Sequence, residues 1–304
     1  MPNNAVHRTP LRAPVTFDVG HRRVHFVCGI YGFEITRPFE VCGMQFVPLT
    51  NSFREAQDFA RGLDQYNLTA VVIAEDFPRD ILFRLEAVLS FIEHLDVIVT
   101  DPLPLVLAQP HDQFQKVLTT SRRHNGGGAI IGSDTFFQNS RATFIEKALQ
   151  RLGDSAYCEA TGYRILFFKT TETFRQRKPF IEVSYFLLFS GLETYVRKSL
   201  NDFDSKDVAV LLNRHLRTLG FNVFSFRESQ LERSMDTYAR LRNALFHSSK
   251  FEARRTIHGS VHTYQLSDFY AQFLTLVALV VVKATDFDDG HLNWDAWIDR
   301  QLLK

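Results

Sequence analysis

The chain reads as a mixed N-terminal domain, α+β or α/β, followed by an all-α C-terminal bundle. Three observations predict this. From Val24 to about Lys169, short β-branched runs alternate with amphipathic stretches. After Arg177 only the helical period remains, and between Thr170 and Lys178 a polar seam of Thr, Glu, Arg, Gln and Lys displaces the apolar residues. The seam divides the sequence into a lead-in over residues 1–15, a mixed domain over 16–172 and a helical domain over 173–304.

The lead-in is polar, carries prolines and arginines, and lacks the apolar core of a signal peptide, so it is expected to be disordered. In the mixed domain, strands are expected at 24–30, 33–36, 44–47, 70–74, 97–100, 129–131 and 164–168. The early strands are close enough for a hairpin meander. The later ones are separated by helices, as in βαβ crossovers, and the pattern leaves the strand order open. Helices are expected at 52–63, 79–94, 114–121 and 141–152, with Asp76 and Pro78 starting the second and Gly153 ending the last.

In the helical half, Pro179 opens a segment over 180–200 that is apolar on most sides, as a helix buried in a bundle must be. Asp204 or Ser205 then caps a second helix running to Leu219, with Gly220 as its stop. A third helix is expected over 225–247, where Ser225 and Glu228 have capping-box spacing and no Gly or Pro follows. A basic insert occupies 248–264, and Ser267 caps a fourth helix over 268–285. A short last helix is expected over 294–303. The longest nearly apolar run, 269–282, falls short of the ~20 residues of a spanning helix and reads as a buried core helix.

Composition narrows the function classes. Hydrophobic residues at 45% and charged residues at 23% are ordinary globular values, while 29 phenylalanines point to aromatic-rich cores. A formal net charge of +1 excludes a global basic field, so any RNA contact must be local. Cys28, Cys42 and Cys158 are isolated and cannot all pair within the chain, which reads as reduced thiols and a cytoplasmic setting without a membrane.

The third helix carries the candidate chemistry. At roughly 100° per residue, Leu231, Met235, Tyr238 and Leu245 share one stripe, and Arg242 falls in its middle. A guanidinium keeps its charge and is rarely buried without a partner or a task. Relative to Leu231, Arg242, Asn243 and His247 sit at about 20°, 120° and 160°, an arc from the buried stripe to the exposed edge. Asp236 and Arg240 share the angular sector of His247.

The helix ends in Arg242-Asn243-Ala244-Leu245-Phe246-His247, an Arg-x4-His pattern with a polar residue after the Arg. Two apolar helices precede it, another follows, and the first carries Glu193 in Phe189-Ser190-Gly191-Leu192-Glu193. Over about residues 176–287 this resembles the HEPN superfamily, and is most similar to its Apea-like group. The resemblance implies a helical bundle and, as in many HEPN domains, a metal-free ribonuclease whose site forms across a homodimer, with no cofactor. It implies that His247 is the general acid/base, Arg242 the transition-state stabiliser and Asn243 the positioning residue. Glu193 would either orient Arg242 or neutralise it as a structural pair. Where many HEPN toxins have a Tyr two positions after the His, this chain has Ser249.

Cleaving RNA without a metal takes a base for the 2′-OH proton, an acid for the leaving 5′ oxygen, and positive charge on the phosphorane. Imidazoles can do the first two jobs and a guanidinium the third. One motif holds one histidine, so two copies facing each other would supply the complement. The products would be 2′,3′-cyclic phosphate and 5′-OH ends, and by resemblance the setting is antiviral defence or toxin–antitoxin control. The competing class is a noncatalytic dimerisation or partner-binding module in which Arg242 belongs to a buried ion pair. Either is compatible with an N-terminal domain that senses a protein or small-molecule trigger.

Lys250, Arg254, Arg255 and His258 in the insert, opposed only by Glu252, read either as a phosphate-holding loop or as a solvated hairpin. His258 and His262 have the spacing of a zinc helix, but Gly259 and Val261 argue against a helix there. Asn125-Gly126-Gly127-Gly128 lacks the ending of a P-loop and reads as a turn, and Arg122, Arg123 and His124 read as loop surface. Asp286, Asp288 and Asp289 lack the closing Glu of a calcium loop.

Overall fold

A computed structural model describes residues 25–62, 64–124, 128–176, 180–301 and 303. The expected lead-in, Pro179 and most of the Asn125–Gly128 turn lie outside the described residues. The chain opens with strands β1 (Phe26–Tyr31), β2 (Phe39–Val41) and β3 (Met44–Pro48), helix α1 (Phe53–Arg61) and the long strand β4 (Tyr66–Ala74). Helix α2 (Arg79–Glu93) follows, then the short strands β5 (Ile98–Val99), β6 (Leu103–Pro104) and β7 (Val117–Leu118). The spatial order is β2-β3-β4-β1-β5, with β6 also on β1 and β7 on the start of β4. Every strand pairing among the described residues is antiparallel, so this region is α+β and the expected βαβ crossovers are absent from it.

The apolar run of β4 is continuous because both of its faces are buried. Ala70, Val72 and Ala74 face the main core. Val71 and Ile73 lie under Val47, Leu105 and Phe114, so the segment around Leu105 and Phe114 roofs the other face. That segment is not the expected helix at 114–121. Nor are 33–36 and 129–131 strands. Residues 33–36 are buried, and their amides use side chains instead: Phe33 N–H donates to Thr69 Oγ1 at 3.2 Å and Glu34 N–H to Glu93 Oε1 at 2.9 Å.

Buried ions tie this layer together. Glu93, with no exposure, meets Arg141 Nη1 at 2.5 Å and Arg61 Nη2 at 3.1 Å. Asp96, equally buried, accepts from Tyr66 Oη at 2.7 Å and pairs with Arg123 and Arg175. Arg122, expected at the surface, is buried as well. Its guanidinium donates to the carbonyls of Asp96 (2.8 Å), Gly32 (2.5 Å) and Ala60. Gly32 makes room for it. At φ +85° only glycine is relaxed, and a Cβ there would stand 2.5 Å from Arg122 Nη2.

Helices take over at Ser140, ahead of the change in composition: α3 (Ser140–Gly153), α4 (Ser155–Thr161) and α5 (Tyr163–Arg175). The expected strand at 164–168 is the first half of α5, and a boundary at 172 would fall inside that helix. The β-branched residues that follow are accommodated by local bonds, Thr170 and Thr171 donating their hydroxyls to the carbonyls of Leu166 and Phe167. Phe91 of α2 packs against Phe144, Phe167 and Phe174, so one aromatic cluster joins α2 to α3 and α5. Arg175 adds a charged clamp, reaching Asp96 and Glu86 from the end of α5.

The remaining helices are α6 (Ile181–Leu200), α7 (Val208–Thr218), α8 (Met235–Ser248), α9 (Leu266–Ala284) and the single turn α10 (Ala296–Asp299). Between α8 and α9 lies a hairpin of β8 (Glu252–Ile257) and β9 (Ser260–Gln265). Asp207, not Asp204 or Ser205, caps α7, accepting from Val210 N–H. The expected last helix over 294–303 shrinks to α10. Tyr185, Phe273 and Tyr238 stack through the centre and join α6, α9 and α8. Helix α9 is long and apolar enough to cross a membrane by length and composition, and most of its apolar window is buried here.

Arg122→Met should keep the bulk and remove the donors from three buried carbonyls. At ~1–3 kcal/mol for a buried group left unsatisfied, a loss of more than ~2 kcal/mol in urea unfolding is expected. A loss under ~0.5 kcal/mol, the size of a surface change, would refute the buried placement of this side chain.

Candidate active site

The expected helix over 225–247 is broken. Leu231–Arg233 forms a short 3-10 turn, and α8 begins at Met235. Ser225 does not cap it through its side chain. The strand-like segment at Phe224 and Ser225 runs beside the helix start, and their carbonyls accept the N–H groups of Met235 (2.8 Å) and Asp236 (2.9 Å). Two of the amides that a helix start leaves open are thereby satisfied by main chain. The buried face is Met235, Thr237, Tyr238, Ala239 and Leu241. Around the axis Arg242 falls between Met235 and Tyr238, as expected, but it lies beyond Leu241, the last buried residue of the helix, where this face opens toward solvent.

Arg242 is held on three sides. Its Nη2 lies 3.1 Å from Glu193 Oε2, and its Nη1 donates to Asn243 Oδ1 at 2.9 Å. The guanidinium carbon lies 5.4 Å from the ring centre of Phe189 and 5.7 Å from that of Phe246. Glu193 is shared, because its Oε1 accepts from Arg197 Nε at 2.9 Å. Phe186, Phe189, Glu193 and Arg197 recur every three or four residues along α6, with Ser190 beside them, and so form one face toward α8. The Arg242 side chain keeps 31% of its exposure, so the pair is neither sealed nor fully solvated.

His247 stands in the last turn of α8, exposed, and makes no hydrogen bond or ion pair among the described residues. It shares with Arg242 a hollow of about 140 Å³, walled by Phe186, Phe189, Glu193 and Phe246. Arg242 and Asn243 also border a second hollow of about 500 Å³, which reaches across to Lys206 and Val208 at the start of α7. A third, of about 280 Å³, lies between Asn243 and the hairpin and is lined by Lys250, Glu252 and Arg254. Arg242 borders the first and second of these hollows and Asn243 the second and third.

The hairpin divides the expected basic cluster. His258 and Gly259, both at positive φ (47° and 83°), make its two-residue turn. Alternation then sends Arg254 and Arg255 to opposite faces. Arg254 is exposed, pairs with Glu252 at 2.8 Å and lines the third hollow with Lys250. That bond, with one from Gln265, holds the Glu252 carboxyl below its ordinary range. Arg255 turns inward over the Phe226 ring and pairs with Asp236. His258 stands apart, 3.4 Å from Glu228. Only Lys250 and Arg254 therefore join the motif.

Asp236 and Arg240 pair with each other at 2.7 Å. Asp236 lies toward the far end of the helix from His247: eleven residues at 1.5 Å rise put about 16 Å between them along the axis. Sharing an angular sector did not bring them together. Reading along the chain missed the aromatic walls Phe186, Phe189 and Phe246, although their spacing around Glu193 and His247 was a usable signal. It also missed Arg197, four residues after Glu193 and in the spacing of a helical ion pair. Among the described residues no group of three His, Cys, Asp or Glu side chains is arranged to hold a metal ion.

Because the Arg242–Glu193 pair is partly solvated, Arg242→Ala should cost ~1 kcal/mol or less in chemical denaturation. A loss of ~3–5 kcal/mol would identify it as a buried strut. No family model, curated protein or solved structure matches this chain, so the likeness to HEPN domains stands on the motif and the order of helices.

Proposed function

We propose that this protein is a metal-independent endoribonuclease of HEPN type, working as a homodimer. The observation that carries the reading is the shared hollow of Arg242 and His247: a half-exposed guanidinium and an unpartnered imidazole bordering one small, aromatic-walled space. An imidazole takes the proton from the 2′-OH, and the 2′ oxygen attacks the adjacent phosphorus. The bond to the 5′ oxygen breaks as a second imidazole donates a proton to it, leaving a 2′,3′-cyclic phosphate and a 5′-OH. Arg242 neutralises the charge that grows on the phosphorane, with two of its five N–H donors spent on Glu193 and Asn243. Asn243, hydrogen-bonded to Arg242, fixes the plane of the guanidinium.

Each chain brings one such histidine, so the acid and the base come from two copies. The surface beside the hollow suits that. Phe180 at the N-cap of α6, and Val183 and Phe186 within it, are exposed at a spacing of three residues, and Phe246 of α8 is exposed as well. Phe186 and Phe246 touch, with ring centres 4.9 Å apart. Such a row of large apolar side chains marks a surface that another protein covers. A second copy placing its own His247 there would complete the site. The N-terminal region, clamped to the helices through Arg175, is then positioned to pass a trigger to α6.

A second reading is favoured by one observation. Glu193 is shared by two guanidinium groups, as in a structural ion-pair network. On that reading the bundle is a noncatalytic dimerisation or docking module.

His247→Ala separates the two. With EDTA present, wild-type protein should cleave single-stranded RNA to cyclic-phosphate ends, and the variant should lose at least ~100-fold in rate with its fold and oligomeric state intact. Equal rates would leave only the module. Phe186→Asp should convert the dimer to a monomer in sedimentation analysis and abolish cleavage with it. A monomeric wild type would remove the composite site.

A further inference from the structure

We infer that the hollow between α7 and α8 is a second phosphate-binding subsite, in which Lys206 and Arg240 hold an RNA backbone phosphate beyond the scissile one. This rests on the reading of Arg242 and His247 as an RNA-cleaving site. Arg242 forms the wall between the two hollows. On one side it faces His247; on the other it opens, with Asn243, onto a space of about 500 Å³ bordered by Arg240 and Lys206. A phosphate at the guanidinium therefore leaves the strand running on into a cationic space.

The carboxylates bordering that space are already engaged. Asp236 is shared by Arg240 and Arg255, and Asp207 accepts the Val210 amide as the cap of α7. Because Asp207 closes the helix terminus, the subsite is made by side-chain cations. Lys206 is exposed and has no ion-pair partner among the described residues, so its ammonium is available to an anion. Two guanidiniums on one carboxylate leave a surplus positive charge at Asp236, and the same holds at Glu193. The side chains lining the space carry three cations, Lys206, Arg240 and Arg242, against two carboxylates, Asp207 and Asp236, which leaves one positive charge in surplus there. Loss of one cation–phosphate contact on a single strand should lower the salt slope of binding by ~0.7.

The test uses the full-length protein and fluorescent 2′-O-methyl RNAs, which lack the attacking hydroxyl and cannot be cleaved by this route. The series runs from a dinucleotide to about ten nucleotides, within the range of single-strand binding sites. Lys206→Ala should weaken binding of the longest RNA several-fold and reduce its salt slope by ~0.7. The loss should grow with RNA length, and Lys206→Arg should restore it. Lys147→Ala, the same charge change on the distant α3, serves as the control.

A loss no greater than in the control, or one independent of length, overturns the subsite. So does competition by inorganic phosphate that disappears in Lys206→Ala without any length dependence, which would mark a free-phosphate site. Wild-type protein that binds the series as expected but cleaves no unmodified RNA removes the nuclease reading and leaves the subsite. Wild-type protein that cleaves, with Lys206→Ala binding like the control, does the reverse.

Discussion

A guanidinium at the edge of a helical bundle needs a counter-charge, yet a counter-charge that saturates it would end its usefulness. The sharing of Glu193 between Arg197 and Arg242 meets both conditions. One carboxylate spread over two cations fixes where Arg242 points and leaves the ensemble positive. The aromatic rings of Phe189 and Phe246 complete the seat, since a weakly hydrated guanidinium is stabilised by ring faces without forming further hydrogen bonds. The geometry of the hollows follows from this seat, because Arg242 is the wall between two of them.

The same pairing of charges does opposite work in the N-terminal half. There Glu93 and Asp96 are fully buried, and the cations around them serve the packing of the sheet against α2, α3 and α5. Arg122 spends its donors on three carbonyls and Arg175 spans Asp96 and Glu86. Ions removed from water must be fully satisfied, which makes such a cluster specific in geometry and intolerant of partial loss. Arg175 ends α5, so the cluster anchors the end of that helix to α2 and the residues that follow it.

Much of this was legible in the sequence, and the failures have physical causes. The two-part organisation, the helices α1, α2, α3, α6 and α9, and the unusual position of Arg242 all follow from periodicity and caps. Short apolar runs are ambiguous: residues 164–168 carry strand-like side chains but are helical because the core of α2 and α3 receives them. The continuous run of β4 came from a loop roof, which no local pattern announces. Ser225 and Glu228 have the spacing of a capping box, yet main-chain carbonyls brought in from beside the helix do the capping. Periodicity gives an angle around an axis and nothing along it, and so Asp236 looked like a neighbour of His247. The basic insert was misjudged for a related reason. As a hairpin it alternates, so adjacent arginines serve opposite faces.

Alternation at the hairpin also decides what the basic residues can do. Arg255 is drawn inward and shares Asp236 with Arg240, which stiffens α8 just before the motif. Arg254 is sent outward with Lys250, where Glu252 stands beside them. One arginine therefore anchors the hairpin to the helix while its neighbour faces the hollow beside Asn243. A loop with the same composition and no register would scatter these charges over solvent. The two-residue turn at His258 and Gly259 fixes the register, and through it the side of the motif on which positive charge accumulates.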